Sequence, residues 1–284
     1  MSVHEHVAHA RQRLRDAGIS HLESDLDARL LAQHVLGWTP ERFFTDGHTP
    51  EPDGFPPSYD MLVARRATRE PLAYILGSRE FWGLEFEVTP AVLIPRPSTE
   101  LIVEAIRDLF PDRSVPLTFA DVCTGCGCVA VAIAHDRPAA TVMATDISAE
   151  ALEVARRNAA RHGVSDRVTF RRGDLLDGID RQLDVIVANP PYVVDCAAPA
   201  LQPEVRDHEP AVALFGGADG LDLLTRLVVE APSRLRPGGY LVFEFGLGQD
   251  VEIERLLEGA PELTMIGARR DLQGIARTAI SQRT

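Results

Sequence analysis

A chain of 284 residues with 45% hydrophobic and 25% charged content is long enough for one large α/β domain and a smaller companion, and its composition excludes a disordered polypeptide. A formal charge of -13 with a pI near 5.1 argues against direct nucleic-acid binding, which calls for a basic footprint, and favours a basic protein partner. No run approaches the roughly 18 apolar residues of a spanning helix, and the polar, His-rich start does not read as a secretion signal, so we expect a cytoplasmic protein with no membrane partner.

In chain order, residues 1–77 read as a small helical bundle. A helix is predicted over Val3 to Ala17. Ser24-Asp25-Leu26-Asp27 reads as a capping box leading into Ala28 to Leu36, closed by Gly37. Thr39-Pro40 opens another helix with proline at its first position, and Pro56-Pro57-Ser58 opens one running from Tyr59 to Arg69. From Arg79 the pattern becomes alternating, with Phe81-Trp82 and Phe86/Val88 around Gly83-Leu84, which predicts a β-hairpin ahead of the loop Ile94-Pro95-Arg96-Pro97. Residues 78–97 are therefore taken as hairpin and linker.

Residues 98–284 alternate apolar runs with helical stretches, the signature of a parallel sheet covered on both faces. A helix over Ser98 to Phe110 comes first. Strands are expected at Leu117 to Val122, Thr141 to Ala144, Val168 to Phe170, Leu183 to Ala188 and Tyr240 to Phe245, with helices at Val129 to His135, Ala149 to His162 and Leu221 to Leu235. Late strands near Thr264 to Ala268 and Ala276 to Ile280 complete a seven-stranded, Rossmann-like α/β sheet.

The first of these strands ends in Asp121-Val122-Cys123-Thr124-Gly125-Cys126-Gly127-Cys128 and enters a helix, the turn at which open α/β sheets bind ligands. Alone, Gly-x-Gly is a weak signal whose bland reading is a tight turn. Asp146 ends the second strand about 20 residues on, where a carboxylate accepts ribose hydroxyls. Asp174-Leu175, after the third strand, lies where an adenine amino group and ring face are held. Ala130 stands where a phosphate-binding fingerprint has its third glycine; alanine is permitted there, so this loop alone leaves nicotinamide binding open.

Asn189-Pro190-Pro191-Tyr192, directly after Val185-Ile186-Val187-Ala188, separates these readings, because hydride transfer has no use for it. A planar amide or amine delocalises its lone pair and attacks a methyl group poorly. The Asn189 side-chain oxygen and the Pro190 carbonyl can each accept one substrate N–H, localising that pair, while proline keeps the chain extended and donates nothing. Tyr192 would add a flat face for stacking. The alternative is a proline-rich turn with a packed tyrosine. Of the four cysteines, three crowd the glycine loop and Cys196 stands apart; three thiolates without an evident fourth ligand argue for reduced thiols and no metal.

With these residues in view, the chain resembles the bacterial release-factor glutamine methyltransferases, the HemK or PrmC family, over nearly its whole length. The resemblance rests on Pro71-Leu72-Ala73-Tyr74-Ile75-Leu76-Gly77, Glu80-Phe81-Trp82-Gly83, Ile94 to Glu100, Asn189 to Tyr192, Glu209-Pro210, Leu214, Gly217 and Asp219-Gly220-Leu221. It implies a class I methyltransferase fold, S-adenosyl-L-methionine as cofactor, and as substrate the glutamine of the Gly-Gly-Gln tripeptide in class 1 peptide-release factors. The N-terminal bundle and hairpin would help dock that protein, and the enzyme would act as a monomer. The implied cofactor contacts are Cys123, Thr124, Gly125, Cys126, Gly127, Asp146, Asp174, Leu175 and Asn189. Asn189, Pro190 and Tyr192 would be catalytic, and Pro191, Arg96, Glu100 and Glu209 would border the substrate. The chain departs from the pattern at Cys123 and Cys126, where glycine and a small residue are common, and at Leu175, where a larger ring is common. Two rivals stay open: methylation of an exocyclic amine on a flipped base, and a catalytically silent protein-binding relative.

Overall fold

The computed structural model describes residues 1–284, which cluster into two units: 1–77 together with 202–208, and 78–201 together with 209–284. The first unit comprises α1 (Val3–Asp16), α2 (His21–Leu36), α3 (Pro40–Asp46), α4 (Phe55–Ala67) and α5 (Leu72–Leu76), plus a short helix from far downstream. On α1, Val3, Val7, Ala10 and Leu14 recur at helical spacing and are buried against Leu31, Tyr59 and Val63. Helix α2 starts one turn earlier than the sequence pattern suggested. Ser20, not Ser24, is the N-cap and accepts from the Glu23 N–H, whereas Ser24 is buried inside the helix. Glu23 stands three residues after Ser20, so the same cap signal occurs twice and the earlier instance wins.

Asp27 is buried because it serves the interior of this unit. Its carboxylate accepts from Arg66 on α4 at 2.7 Å, and Arg66 also donates to Glu204 at 2.9 Å, which Arg69 holds at 2.6 Å. Arg66 is 4% exposed, so removing it strands Asp27 without a counter-charge. We expect Arg66→Ala to cost about 3–5 kcal/mol in urea unfolding, and Arg66→Met to cost as much or more while Asp27 keeps its charge.

The second unit opens with β1 (Ser78–Phe81) and β2 (Leu84–Glu87), paired antiparallel so that Phe81 faces Leu84. The two-residue turn is therefore Trp82-Gly83, one position before the expected Gly83-Leu84, and both residues have positive φ, 56° and 72°. There follow α6 (Glu100–Leu109), β3 (Thr118–Val122), α7 (Cys128–Asp136), β4 (Thr141–Asp146), α8 (Ala149–Arg161), β5 (Val168–Arg172) and β6 (Leu183–Ala188). Next come α9 (Pro203–His208, grouped with the first unit), α10 (Asp222–Arg234), β7 (Leu235–Glu244), α11 (Asp250–Glu258), β8 (Leu263–Arg270) and β9 (Ala276–Arg283). Periodicity had not announced α5, α9 or α11.

The seven strands lie in the order β5-β4-β3-β6-β7-β9-β8, with only β9 antiparallel to its neighbours. All six residues of β6 are buried, as a central parallel strand requires. The chain runs from β3 to β4 on one side and reaches β6 on the other, so the carboxyl ends of β3 and β6 flank the switch point of the sheet. No helix is long and apolar enough to cross a membrane.

Candidate active site

A cavity of about 750 Å³ opens at that switch point, within the size range of small-ligand sites. Its wall brings together Arg96, Cys123, Thr124, Gly125, Cys126, Asp146, Asp174, Leu175, Asn189 and Pro191. It does not include Gly127, Pro190, Tyr192, Glu100 or Glu209.

The loop after β3 explains this division. Cys123 has φ 59°, Gly125 φ 55° and Gly127 φ 81°. A β-carbon on Gly125 would meet nothing within 4 Å, so the backbone there faces open space, whereas one on Gly127 would lie 3.0 Å from the Ala155 Cβ. Gly127 therefore lets α7 approach α8, and Gly125 leaves room for a ligand. Cys123 carries its side chain at a left-handed position, at a cost of about 1 kcal/mol that a glycine there would avoid. All four cysteines are free thiols, with Cys126 and Cys128 buried.

Beneath the loop, Asp121 is 1% exposed and accepts from the Thr124 hydroxyl at 2.5 Å and the Ala130 N–H at 3.0 Å, joining the end of β3 to α7. Sequence reasoning quoted this residue without giving it a role. Burial pushes its carboxyl up to about 7 against those two hydrogen bonds. A pKa raised on folding favours the protonated state, so this contribution is complete below the unfolded value of 3.8 and is lost as pH rises towards 7. Thermal melts of Asp121→Asn should accordingly depend less on pH between about 5 and 7.5 than those of the parent.

Asp146 ends β4 with both oxygens anchored: Oδ2 accepts from the Gly125 N–H and Oδ1 from the Ser148 N–H, each at 2.9 Å. Burial raises its pKa, opposed by these amides. Each oxygen keeps a further lone pair for a hydroxyl from the cavity. Asp174 is paired with Arg226 at 2.9 Å through Oδ2. Leu175, with φ 48°, is held in place by Thr145, whose hydroxyl donates to the Leu175 carbonyl at 2.8 Å.

Asn189 leaves β6 at the cavity wall. Its NH2 donates one N–H to Thr99 Oγ1 at 3.1 Å, which leaves the side-chain oxygen and the second N–H to offer a ligand. The Pro190 carbonyl accepts no backbone N–H. Tyr192 does not line the cavity: its ring packs against the core cluster and its hydroxyl donates to Glu244 at 3.0 Å. Gln249 donates to the Tyr192 carbonyl at 3.2 Å. Tyr192 is thus the post that fixes the exit of the clamp.

Arg96 meets Glu209, which also accepts from the Ile94 N–H at 3.2 Å; only Arg96 of that pair reaches the cavity. Glu100 accepts from the Trp82 N–H at 2.9 Å and braces the hairpin turn. Sequence reasoning gave no role to Thr99 or Glu244. Glu244 did carry a signal, an acid inside the apolar run Tyr240 to Phe245. A charged residue on a central strand is buried only with partners.

Comparisons with known proteins agree with this architecture. A model described as PrmC N-terminal domain matches residues 5–77, and one described as methyltransferase small domain matches residues 97–202. A release factor glutamine methyltransferase of Koribacter versatilis is 39% identical over 94% of this chain and 96% of its own length. A protein of the same name from Nitratidesulfovibrio vulgaris is 40% identical over 98% and 94%. Among solved structures, the Thermus thermophilus 16S rRNA methyltransferase RsmC in complex with AdoMet and guanosine superposes with a TM-score of 0.52 at 19% identity, covering 73% of this chain and 50% of that one, a likeness of fold.

Proposed function

The chain belongs to the release factor glutamine methyltransferases, and from that premise we propose that it methylates the side-chain amide nitrogen of the glutamine in the Gly-Gly-Gln tripeptide of class 1 peptide-release factors. The observation that carries this reading is Asn189 at the cavity wall with its NH2 tied back to Thr99. Its oxygen is then free to accept one substrate N–H; the Pro190 carbonyl, which accepts no backbone N–H although Pro190 lies outside the cavity wall, would take the other where the substrate meets the clamp. Bound in this way, the amide nitrogen holds its lone pair towards the cavity.

The same cavity fits S-adenosyl-L-methionine. Asp146 would hold the ribose hydroxyls, Leu175 and Asp174 would border the adenine, and the open backbone at Gly125 would admit the methionine portion. When bound, the cofactor supplies an electrophilic methyl group on a sulfonium. Asp146, Asp219 and Asp222 give the wall an acidic character, and its two arginines, Arg96 and Arg226, are paired with Glu209 and Asp174. Such a wall suits a cationic cofactor and opposes a polyanion.

Positioning supplies most of the acceleration. One neutral hydrogen bond contributes about 0.5–1.5 kcal/mol, whereas aligning two reactants contributes roughly 7–11 kcal/mol. The neutral nitrogen would attack the sulfonium-bound methyl carbon as the C–S bond breaks to leave a thioether. The cationic amide so formed is acidic enough to lose one N–H proton to solvent without a strong base, which suits an asparagine at position 189. We place the reaction in the cytoplasm, with the enzyme acting as a monomer and residues 1–77 as the docking domain for the release factor. The test is transfer of labelled methyl from S-adenosyl-L-methionine to purified class 1 release factor and, in parallel, to RNA and duplex DNA. We expect label in the protein alone; label in nucleic acid alone would support the nucleobase rival.

A further inference from the structure

Asn158 on α8 is fully buried, and both ends of its amide are engaged. Its Nδ2 donates to the Cys126 carbonyl at 2.9 Å and to the Glu87 carbonyl at 3.0 Å, while its Oδ1 accepts from the Glu87 N–H at 2.7 Å. One side chain therefore joins the helix that carries it, the loop after β3 and the last residue of β2. Asparagine suits the position because it has donors at one end and an acceptor at the other. A leucine would leave the three backbone groups unpaired.

The loop that Asn158 holds carries an open donor. The Thr124 N–H donates to the Thr145 carbonyl at 3.0 Å, the Gly125 N–H to Asp146 Oδ2 at 2.9 Å and the Gly127 N–H to the Thr124 carbonyl at 2.8 Å. The Cys126 N–H donates to no group of the protein, although Cys126 is 2% exposed and lines the cavity. A buried N–H calls for a partner, so this one is available to a ligand. It is fixed from both sides, by Asp146 on the Gly125 N–H and by Asn158 on the Cys126 carbonyl. The far end of the hold is firm as well. Glu87 pairs with Ser78 in the hairpin, and its carboxylate accepts from Arg157, the residue before Asn158, at 2.7 Å. Beyond it Val88 and Val92 are buried, and the chain enters the cavity wall at Ala91.

We propose that Asn158 is a positioning residue for cofactor binding: by tying the Cys126 carbonyl to the backbone of β2, it sets the loop whose Cys126 N–H meets the bound cofactor. This rests on the reading of the cavity as the S-adenosyl-L-methionine site. Asn158 is not on the cavity wall, so it acts through the loop alone. The clamp at Asn189 is separate from it. Loss of the tie should therefore weaken cofactor binding and spare the chemical step.

The experiment compares the parent, Asn158→Leu and Arg157→Leu by calorimetric binding of S-adenosyl-L-methionine, steady-state methylation of purified release factor and thermal melting. Arg157→Leu removes the side-chain grip on Glu87 and leaves the bond to Cys126 in place. We expect Asn158→Leu to weaken cofactor binding at least about 10-fold with kcat at saturating cofactor within about 3-fold of the parent. Arg157→Leu should bind the cofactor within about 2-fold of the parent. An Asn158→Leu enzyme that melts at a lower temperature yet binds the cofactor as the parent does would overturn the proposal, and so would an equal loss of affinity in Arg157→Leu. If Asn158→Leu fails to fold, amide exchange in the parent decides. Saturating S-adenosyl-L-methionine should slow exchange at Glu87 more than along β8, which gives no residue to the cavity wall, and an unchanged Glu87 amide would overturn the proposal. A parent that binds no S-adenosyl-L-methionine would instead overturn the cofactor assignment on which it depends.

Discussion

Asn189→Ala is expected to lower kcat for release-factor methylation by about 100-fold or more, while cofactor affinity changes far less and the melting temperature is nearly unchanged. The size follows from what the side chain does. On the proposed reading it supplies one of the two acceptors that orient the nucleophile, and loss of one preorganised polar group at a reacting centre costs on the order of 100- to 1,000-fold. The fold tolerates the change because Asn189 lies at the half-buried carboxyl end of β6, and its one side-chain hydrogen bond is to Thr99. The buried body of the strand, Leu183–Ala188, is untouched. Steady-state kinetics with calorimetry separates the two effects. A variant as active as the parent would refute the clamp.

Asp146→Ala should have the complementary profile, with S-adenosyl-L-methionine bound at least about 100-fold more weakly and kcat at saturating cofactor much less affected. Hydrogen bonds to a charged group contribute about 1.5–3 kcal/mol each, and a carboxylate that holds two ribose hydroxyls loses both on truncation. The same truncation leaves the Gly125 and Ser148 N–H groups without their acceptor, so the loop after β3 loosens as well. Calorimetry measures the loss directly, and Asp146→Asn should recover part of it by keeping one acceptor oxygen.

The sheet was legible because its strands are nearly continuous apolar runs, and β6, Leu183–Ala188, is buried throughout. The position of the cavity loop followed from where glycines and acids fell relative to strand ends, as Gly125 and Asp146 illustrate. Short elements escaped. Helix α9 is six residues with no buried face, and it is held by the Arg66 and Arg69 contacts to Glu204, which join residues 135 or more positions apart in sequence. No local pattern encodes such a partner. The start of α2 was misplaced for a different reason: Ser20 and Ser24 both satisfy the cap pattern, and only packing of Ser24 and Asp27 into the bundle decides between them.

The site divides in the same way. Asn189 and Asp146, picked out by residue type and spacing, both lie on the cavity wall. Tyr192 was assigned a stacking role from its ring alone, but its hydroxyl is committed to Glu244, a strand neighbour in space and 52 residues away in sequence. Thr99 and Glu244 went without a role because the Asn189–Thr99 and Tyr192–Glu244 hydrogen bonds exist only once β6, β7 and the start of α6 are brought together.

The most direct test of the central claim is tandem mass spectrometry of purified class 1 release factor after incubation with the enzyme and S-adenosyl-L-methionine. One added methyl on the side-chain nitrogen of the Gly-Gly-Gln glutamine, absent when Asn189→Ala replaces the parent enzyme, is the predicted result. A methyl group on any other residue, or an unmodified glutamine after incubation with cofactor-bound enzyme, would contradict it.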